Sequence, residues 1–394
     1  MSPRSRLSIA LVSTALVAYV ALGSLLGRVL GDSTYGQLAL FGEVVNVVLN
    51  SYVEPVNLDR AMGGARLGLT EALDGDSGWL DEEEFRAYTQ PARAEGDVGL
   101  VLTRRVSFLM VVSTRAGSPA AKAGLRPGDL LKTIDGRHSR GLSPFVGQRL
   151  LRGAPGSIVK LSLYRSGAEP LEVSLVRERV AAPATSGRLL PGGTGHLRVP
   201  EVTPRSAEEI RGEIESLRRA GATRLVLDLR GAAYGSPADG VKVAELFLKG
   251  GAIGKLTGAT VPEQVFTADP ARSAWSGPLA VTTDHGTAGA AEVVAAALLD
   301  AGRAEIVGRR TFGRAAVSKA VPLEEGGLVL TVARYHRPKG EVIHGQGVQP
   351  SVVVDAADDE DEEADAAASP EEAGDAILER ALEVLDGAAQ KKAA

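Results

Sequence analysis

The 394-residue sequence contains no cysteine. Disulfides, thiolate metal sites and cysteine nucleophiles are therefore excluded. Aromatic residues make up only 4%, so any core must be built from Leu, Val, Ile and Ala. The five histidines, His138, His196, His285, His336 and His344, fall at no metal-ligand spacing. No cofactor or metal is expected. Basic residues are nowhere interleaved with aromatics in a stripe, so nucleic acid is not an expected partner. Basic charge is also scarce at the end of the chain. After Val354 come 14 acidic and 3 basic residues, whereas the preceding part holds 41 basic against 35 acidic.

Apolar content of 44% and charged content of 24% describe a globular chain, and its length suits two or three domains. Arg4 and Arg6 precede an uncharged run of 21 residues, Leu7 to Gly27, closed by Arg28. A spanning helix needs about 20 residues, so residues 1–31 read as a signal anchor. The alternative is a cleaved signal peptide, with Ala21-Leu22-Gly23 as the small-residue cleavage site. Either way the basic flank stays cytoplasmic. The expectation is a single pass through the cell (inner) membrane, with the bulk of the chain periplasmic or extracytoplasmic.

The remainder divides by pattern into an α+β multidomain fold. Residues 32–92 read as helical, with Phe41, Val44, Val45, Val47, Val48 and Tyr52 as an apolar packing face. A second helix is expected from Leu58 to Leu73, and Leu73 to Gly78 is a turn. Residues 93–180 read as a small β-rich domain with strands at Leu109–Val112, Leu130–Ile134, Val159–Tyr164 and Leu171–Val176. Residues 181–195, rich in proline and glycine, read as a linker. From 196 to 355 strands and helices alternate, and the continuous apolar run Leu225–Leu229 has the character of a buried parallel strand. An α/β layered core follows. Residues 356–374 read as an acidic disordered linker. Residues 375–387 read as a short helix that docks through Ile377, Leu378, Ala381, Leu382 and Leu385.

The strongest local signal runs from Gly117-Ser118-Pro119 through Gly128-Asp129 to Asp135-Gly136. A short helix is closed by Gly124, and two glycine turns bracket a buried strand. This run resembles the PDZ domains of bacterial exported proteases. The resemblance implies capture of a C-terminal peptide as an added strand, its carboxylate held by backbone N–H groups. By similarity the carboxylate loop is Asp97-Val98-Gly99-Leu100, with Val98, Gly99 and Leu100 as the peptide-binding residues. The loop's usual first glycine is Asp97 here.

A second set of runs falls in the order found in the C-terminal processing peptidases, serine peptidase family S41. Leu73-Asp74-Gly75-Asp76-Ser77-Gly78-Trp79-Leu80 resembles LDPHSxYL. It is followed by Leu227-Asp228-Leu229-Arg230, Gly286 to Leu298, Thr311-Phe312-Gly313, and Gly345 to Pro350. The resemblance implies a serine nucleophile, a buried neutral lysine as its base and a backbone oxyanion hole. In this chain the nucleophile position of the SASASE-like segment is Gly289. The lysine position of the TFGKGxVQ-like segment is Arg314, and the glutamine that supports it is Ser318. The DLRNNPGG-like segment places Tyr234 and Gly235 in the oxyanion region. Glycine offers no nucleophile, and a guanidinium does not deprotonate in a protein.

The expected function is therefore that of a membrane-tethered pseudopeptidase, which binds protein C-termini or partner proteins as an adaptor or regulator. Two alternatives stand beside it. One is an active serine-type endopeptidase with a relocated nucleophile. Thr287, Ser318, Lys319 and the pair Asp284-His285 are the residues to weigh for it. The other is an envelope scaffold that binds no peptide.

Overall fold

The structure, a computed structural model, describes residues 35–90, 96–354 and 375–393. The expected anchor (1–31) and acidic linker (356–374) lie outside these residues. No helix among the described residues is long and apolar enough to cross a membrane. The chain forms two compact units with the boundary between Arg66 and Leu67.

In the first unit residues 35–51 form helix α1. The stripe expected to be a packing face is exposed at Phe41, Val44, Val47, Val48 and Tyr52. Periodicity identifies an apolar face but not what covers it. Helix α2 (Leu58–Glu71) runs across the boundary.

The second unit opens with the turn expected at Leu73 to Gly78, followed by strand β1 (Gly78–Leu80) and helix α3 (Glu82–Thr89). The stretch read as helical on either side of that turn thus also contains a strand. A β-rich domain follows. It contains β2 (Leu100–Arg105), β3 (Phe108–Thr114), helix α4 (Pro119–Lys122), β4 (Leu130–Ile134), β5 (Arg137–His138), helix α5 (Pro144–Leu151), β6 (Ile158–Tyr164) and β7 (Leu171–Val176). Its sheet runs β2-β3-β4-β6-β7, with β5 on β4. Leu100, Leu109, Val111, Leu131, Ile134 and Leu163 fill its core. Helices α4 and α5 both start on Ser-Pro. The serine hydroxyls of Ser118 and Ser143 accept from the amides of Ala121 and Val146, and proline's fixed φ suits the first turn.

The linker expected at 181–195 is largely a hairpin. Strand β8 (Ser186–Leu190) pairs antiparallel with β9 (Thr194–Arg198). Gly192 (φ 76°) and Gly193 (φ 73°) take the left-handed geometry that a tight hairpin turn requires. What composition marks as a linker is the turn itself.

The core then alternates as expected. It contains α6 (Ser206–Arg219), β10 (Arg224–Asp228), α7 (Pro237–Glu245), β11 (Ala252–Thr257), β12 (Gln264–Thr267), β13 (Leu279–Thr283), α8 (Ala290–Asp300), β14 (Glu305–Gly308), β15 (Ala316–Leu323), β16 (Gly326–His336) and β17 (Val352–Val353). The main sheet has the order β17-β14-β13-β10-β9-β8, parallel throughout except at its β8 edge. A second sheet, β1-β16-β11-β12 with β15 on β16, carries β1 into the core. Helix α9 (Ala376–Ala393) docks as expected. Leu378, Ala381 and Leu385 are buried against Val226, Ala280 and Val307 on the main sheet. Burial of each leucine is worth roughly 2 kcal/mol at most.

A candidate site between the PDZ-like domain and the α/β core

The parallel strands β10 and β13 end side by side, and their carboxyl ends carry the loops that build the site. After β13 the chain crosses residues 284–288 and enters α8, whose N-cap is Gly289 at φ 61°. A Cβ added there would find nothing nearer than the Arg314 carbonyl oxygen at 3.6 Å. Space for a side chain exists, but the backbone conformation favours glycine.

One turn into α8, the fully buried carboxylate of Glu292 ties the loops together. It accepts from the amides of Gly289 (2.8 Å), Gly313 (2.6 Å) and Arg314 (2.6 Å) and from the Thr311 hydroxyl (2.5 Å). Burial pushes its carboxyl up, and these donors oppose that shift without cancelling it. The nucleophile and base positions of the family resemblance are thus joined through one side chain.

Arg314 reaches across to the run that resembles LDPHSxYL. Its Nε donates to Asp76 Oδ2 at 2.8 Å, and Asp76 Oδ1 accepts from the Thr103 hydroxyl at 3.1 Å. Sequence reasoning passed over Asp76. The signal was available, because Asp76 stands where the similar run has histidine. Two departures from the family pattern, distant in sequence, meet as an ion pair. His344 lies in the field of both, and burial pushes its pKa down.

Gly235, Gly289, Arg314 and Ser318 line one open cleft of about 370 Å³. Its opposite wall is the β-rich domain, through Val101, Leu102, Pro144, Phe145 and Gln148. Tyr234, expected in the oxyanion region, lies outside the cleft. The Tyr234 carbonyl oxygen accepts from the Val202 amide, and Gly235 (φ 112°) turns so close to Val202 that a Cβ would overlap its carbonyl. The Tyr234 ring therefore faces the other way, beneath the Arg115 guanidinium at 4.1 Å. Burial pushes its phenol up to about 12. Arg115 also pairs with Glu201 at 2.5 Å. Ser113 donates to the Gly231 carbonyl oxygen at 2.7 Å, and Ala288 packs on Val101 and Val112. These contacts hold the β-rich domain against the core beside the cleft.

Of the residues weighed for a relocated reaction, Thr287 is fully buried. Its hydroxyl sits 3.0 Å from the Leu229 carbonyl oxygen and 2.9 Å from Asp284 Oδ1, and it accepts from the Asp284 amide. Asp284 Oδ1 also accepts from the Gly231 amide at 2.8 Å. Both side chains hold loops together. His285 and Lys319 are exposed, and neither lines the cleft. Ser318 does line it.

The expected carboxylate loop adjoins the same cleft. Gly99 adopts φ 79°, and a Cβ there would come within 2.3 Å of the Ser118 side chain. Val98 and Leu100 are fully buried. Asp97 Oδ1 accepts from the amides of Val98 (2.6 Å) and Gly99 (3.0 Å), and Arg152 Nε lies 3.4 Å from its other oxygen. On the edge of β2 facing α5, Gln148 donates to the Leu100 carbonyl oxygen at 2.8 Å. Farther along β2, the Arg104 amide donates to the Gly75 carbonyl oxygen at 3.1 Å.

Residues 193–354 match the peptidase family S41 model, and residues 110–165 match a PDZ domain model. A carboxy-terminal-processing protease of Bartonella bacilliformis is 31% identical over 332 residues, which cover 82% of this chain and 76% of that protein. The carboxy-terminal processing protease CtpA of Bacillus subtilis is 29% identical over 351 residues, 87% of this chain and 74% of that protein. Among solved structures, the photosystem II D1 C-terminal processing protease superimposes with a TM-score of 0.68. It is 29% identical, covering 79% of this chain and 86% of that one.

Proposed function

The chain belongs to peptidase family S41, among the carboxy-terminal processing proteases, and we propose that it binds extended peptide without cutting it. The observation that carries this reading is the cleft itself. It is open between the core and the β-rich domain, yet Gly289 stands at the nucleophile position of the family resemblance and Arg314, paired with Asp76, at its base position. Loss of a triad nucleophile alone costs about a million-fold in turnover. A permanently charged arginine cannot accept the proton a serine would release. The burial and bonding of Thr287 weigh against its service as a substitute nucleophile. Ser318 remains the residue on which an active enzyme would have to rely. The protein acts as an adaptor or regulator outside the cytoplasm, held at the membrane by residues 1–31.

The purified chain is expected to leave unstructured proteins intact and to take no label from a serine-reactive fluorophosphonate. Extended peptides should bind it, and Ala316→Trp, which fills the cleft from β15, should weaken that binding at least tenfold. Cleavage that disappears in Ser318→Ala would establish a relocated active site instead. Absence of peptide binding at high micromolar concentration would leave a scaffold.

A further inference from the structure

By the PDZ resemblance, residues 97–100 form the loop that such a domain keeps for its ligand's carboxylate, and the Asp97 side chain closes on that loop. Such a domain captures a free C-terminus by pointing consecutive backbone N–H groups at the terminal carboxylate. Here two of those groups, on Val98 and Gly99, already donate to Asp97 Oδ1 at 2.6 and 3.0 Å. Arg152 steadies the other oxygen at 3.4 Å. The side chain is 22% exposed, so it sits at the mouth of the loop. An incoming carboxylate would have to displace it, and would meet a like charge as it did so. The first stretch of the β2 edge is treated similarly, because Gln148 covers the Leu100 carbonyl oxygen. The cleft beyond, lined by Leu102, Phe145, Gly235 and Arg314, is left open.

We infer that Asp97 is a built-in replacement for the ligand's terminal carboxylate, and that the protein therefore selects internal, extended segments of polypeptide rather than free C-termini. This inference rests on the peptide-binding reading above and specifies its ligand class. It departs from the C-terminal capture that the PDZ resemblance implies. A segment entering the cleft needs no chain end, since the position the end would fill is occupied by the protein's own side chain.

The test uses the full chain and a fluorescent library of unstructured peptides of about ten residues with apolar last positions. Each peptide is made twice, once with a free C-terminal carboxylate and once with a C-terminal amide. Binding is read by anisotropy at fixed salt. The native chain is expected to bind the two forms within about twofold of each other. Asp97→Ala frees both amides and is expected to favour the free acid at least tenfold. Asp97→Asn keeps an acceptor oxygen in place and should discriminate as little as the native chain. A native chain that already prefers the free acid tenfold would overturn the inference. So would an Asp97→Ala variant that gains no preference. If the native chain binds neither form while Asp97→Ala binds the acid, the peptide-binding reading of the native protein falls and the role of Asp97 stands. If neither protein binds either form, both fall.

Discussion

Glu292 and Asp97 each accept backbone N–H groups from a functional loop, one on the core side of the cleft and one on the PDZ side. They differ in what lies around them. Glu292 is wholly buried with four donors, three of them main-chain amides on two separate segments. Asp97 is partly exposed and satisfies two amides of its own loop. The first contact is interior and joins distant parts of the chain. The second is local, at a surface where water can replace it. The lesson is that the same carboxylate–amide geometry can tie distant segments together or close on its own loop, and burial sets how much stability it carries.

The largest expected effect tests the interior half of that contrast. Glu292→Ala leaves three amides and a hydroxyl without an acceptor in a dry setting, and should lower unfolding stability by about 3–5 kcal/mol in urea titrations. A loss below 1 kcal/mol would mean that the loops are held by other means.

An intermediate case is Asp375, just ahead of α9. Both its oxygens accept from Arg230, at 2.7 and 2.8 Å. Burial pushes its carboxyl up, but the bonds from Arg230 and the Leu378 amide more than reverse this and hold it below the usual range. Arg230 also pairs with Asp228, whose carboxyl lies well below the usual range. There too burial pushes upward and Arg230, His196 and Arg198 overcome it. A depressed carboxyl contributes stability that is present above its unfolded value, about 3.9, and is lost as pH falls through its folded value. Asp375→Asn should therefore weaken the docking of α9 by about 1 kcal/mol at pH 7, solvent screening included. The gap to the native chain should close on acidification below about pH 4. Hydrogen exchange over 376–387 measures both, and a gap that widens in acid would sink the assignment.

The smallest effect belongs to Asp97. Asp97→Ala should change the melting temperature by no more than about 0.5 kcal/mol of stability implies, because water can reach its partners. An equal loss from Asp97→Ala and Glu292→Ala would erase the contrast from which the comparison begins.

Much of the fold was legible because its signals are local. Leu130–Ile134 and Leu171–Val176 form the strands expected of them, and the spacing of Leu378, Ala381 and Leu385 foretold the docked face of α9. The exposed stripe on α1 shows the limit of that reasoning, since the same periodicity there has no cover among the described residues. In the site, Gly235, Gly289, Arg314 and Ser318 were nameable from the order of motifs alone, and they line one cleft. Tyr234 was nameable beside Gly235, but motif position does not encode which way its side chain leaves a glycine-turned loop. Asp76 was missed because its meaning depends on Arg314, 238 residues away. The hairpin at 186–198 was hidden because glycine and proline mark a tight turn and a linker alike.

The sequence by itself determined family membership and most of the order of strands and helices, and it set glycine at 289 and arginine at 314. These are properties of residue type and order, and glycine or arginine carries its chemistry wherever it is placed. Only the tertiary structure decided that the cleft is open, that Tyr234 turns away from it, that Arg314 meets Asp76, and that Asp97 turns back onto its own loop. Each of those depends on distances of a few ångströms between groups whose separation along the chain, or whose rotation about one backbone bond, no pattern of residues records.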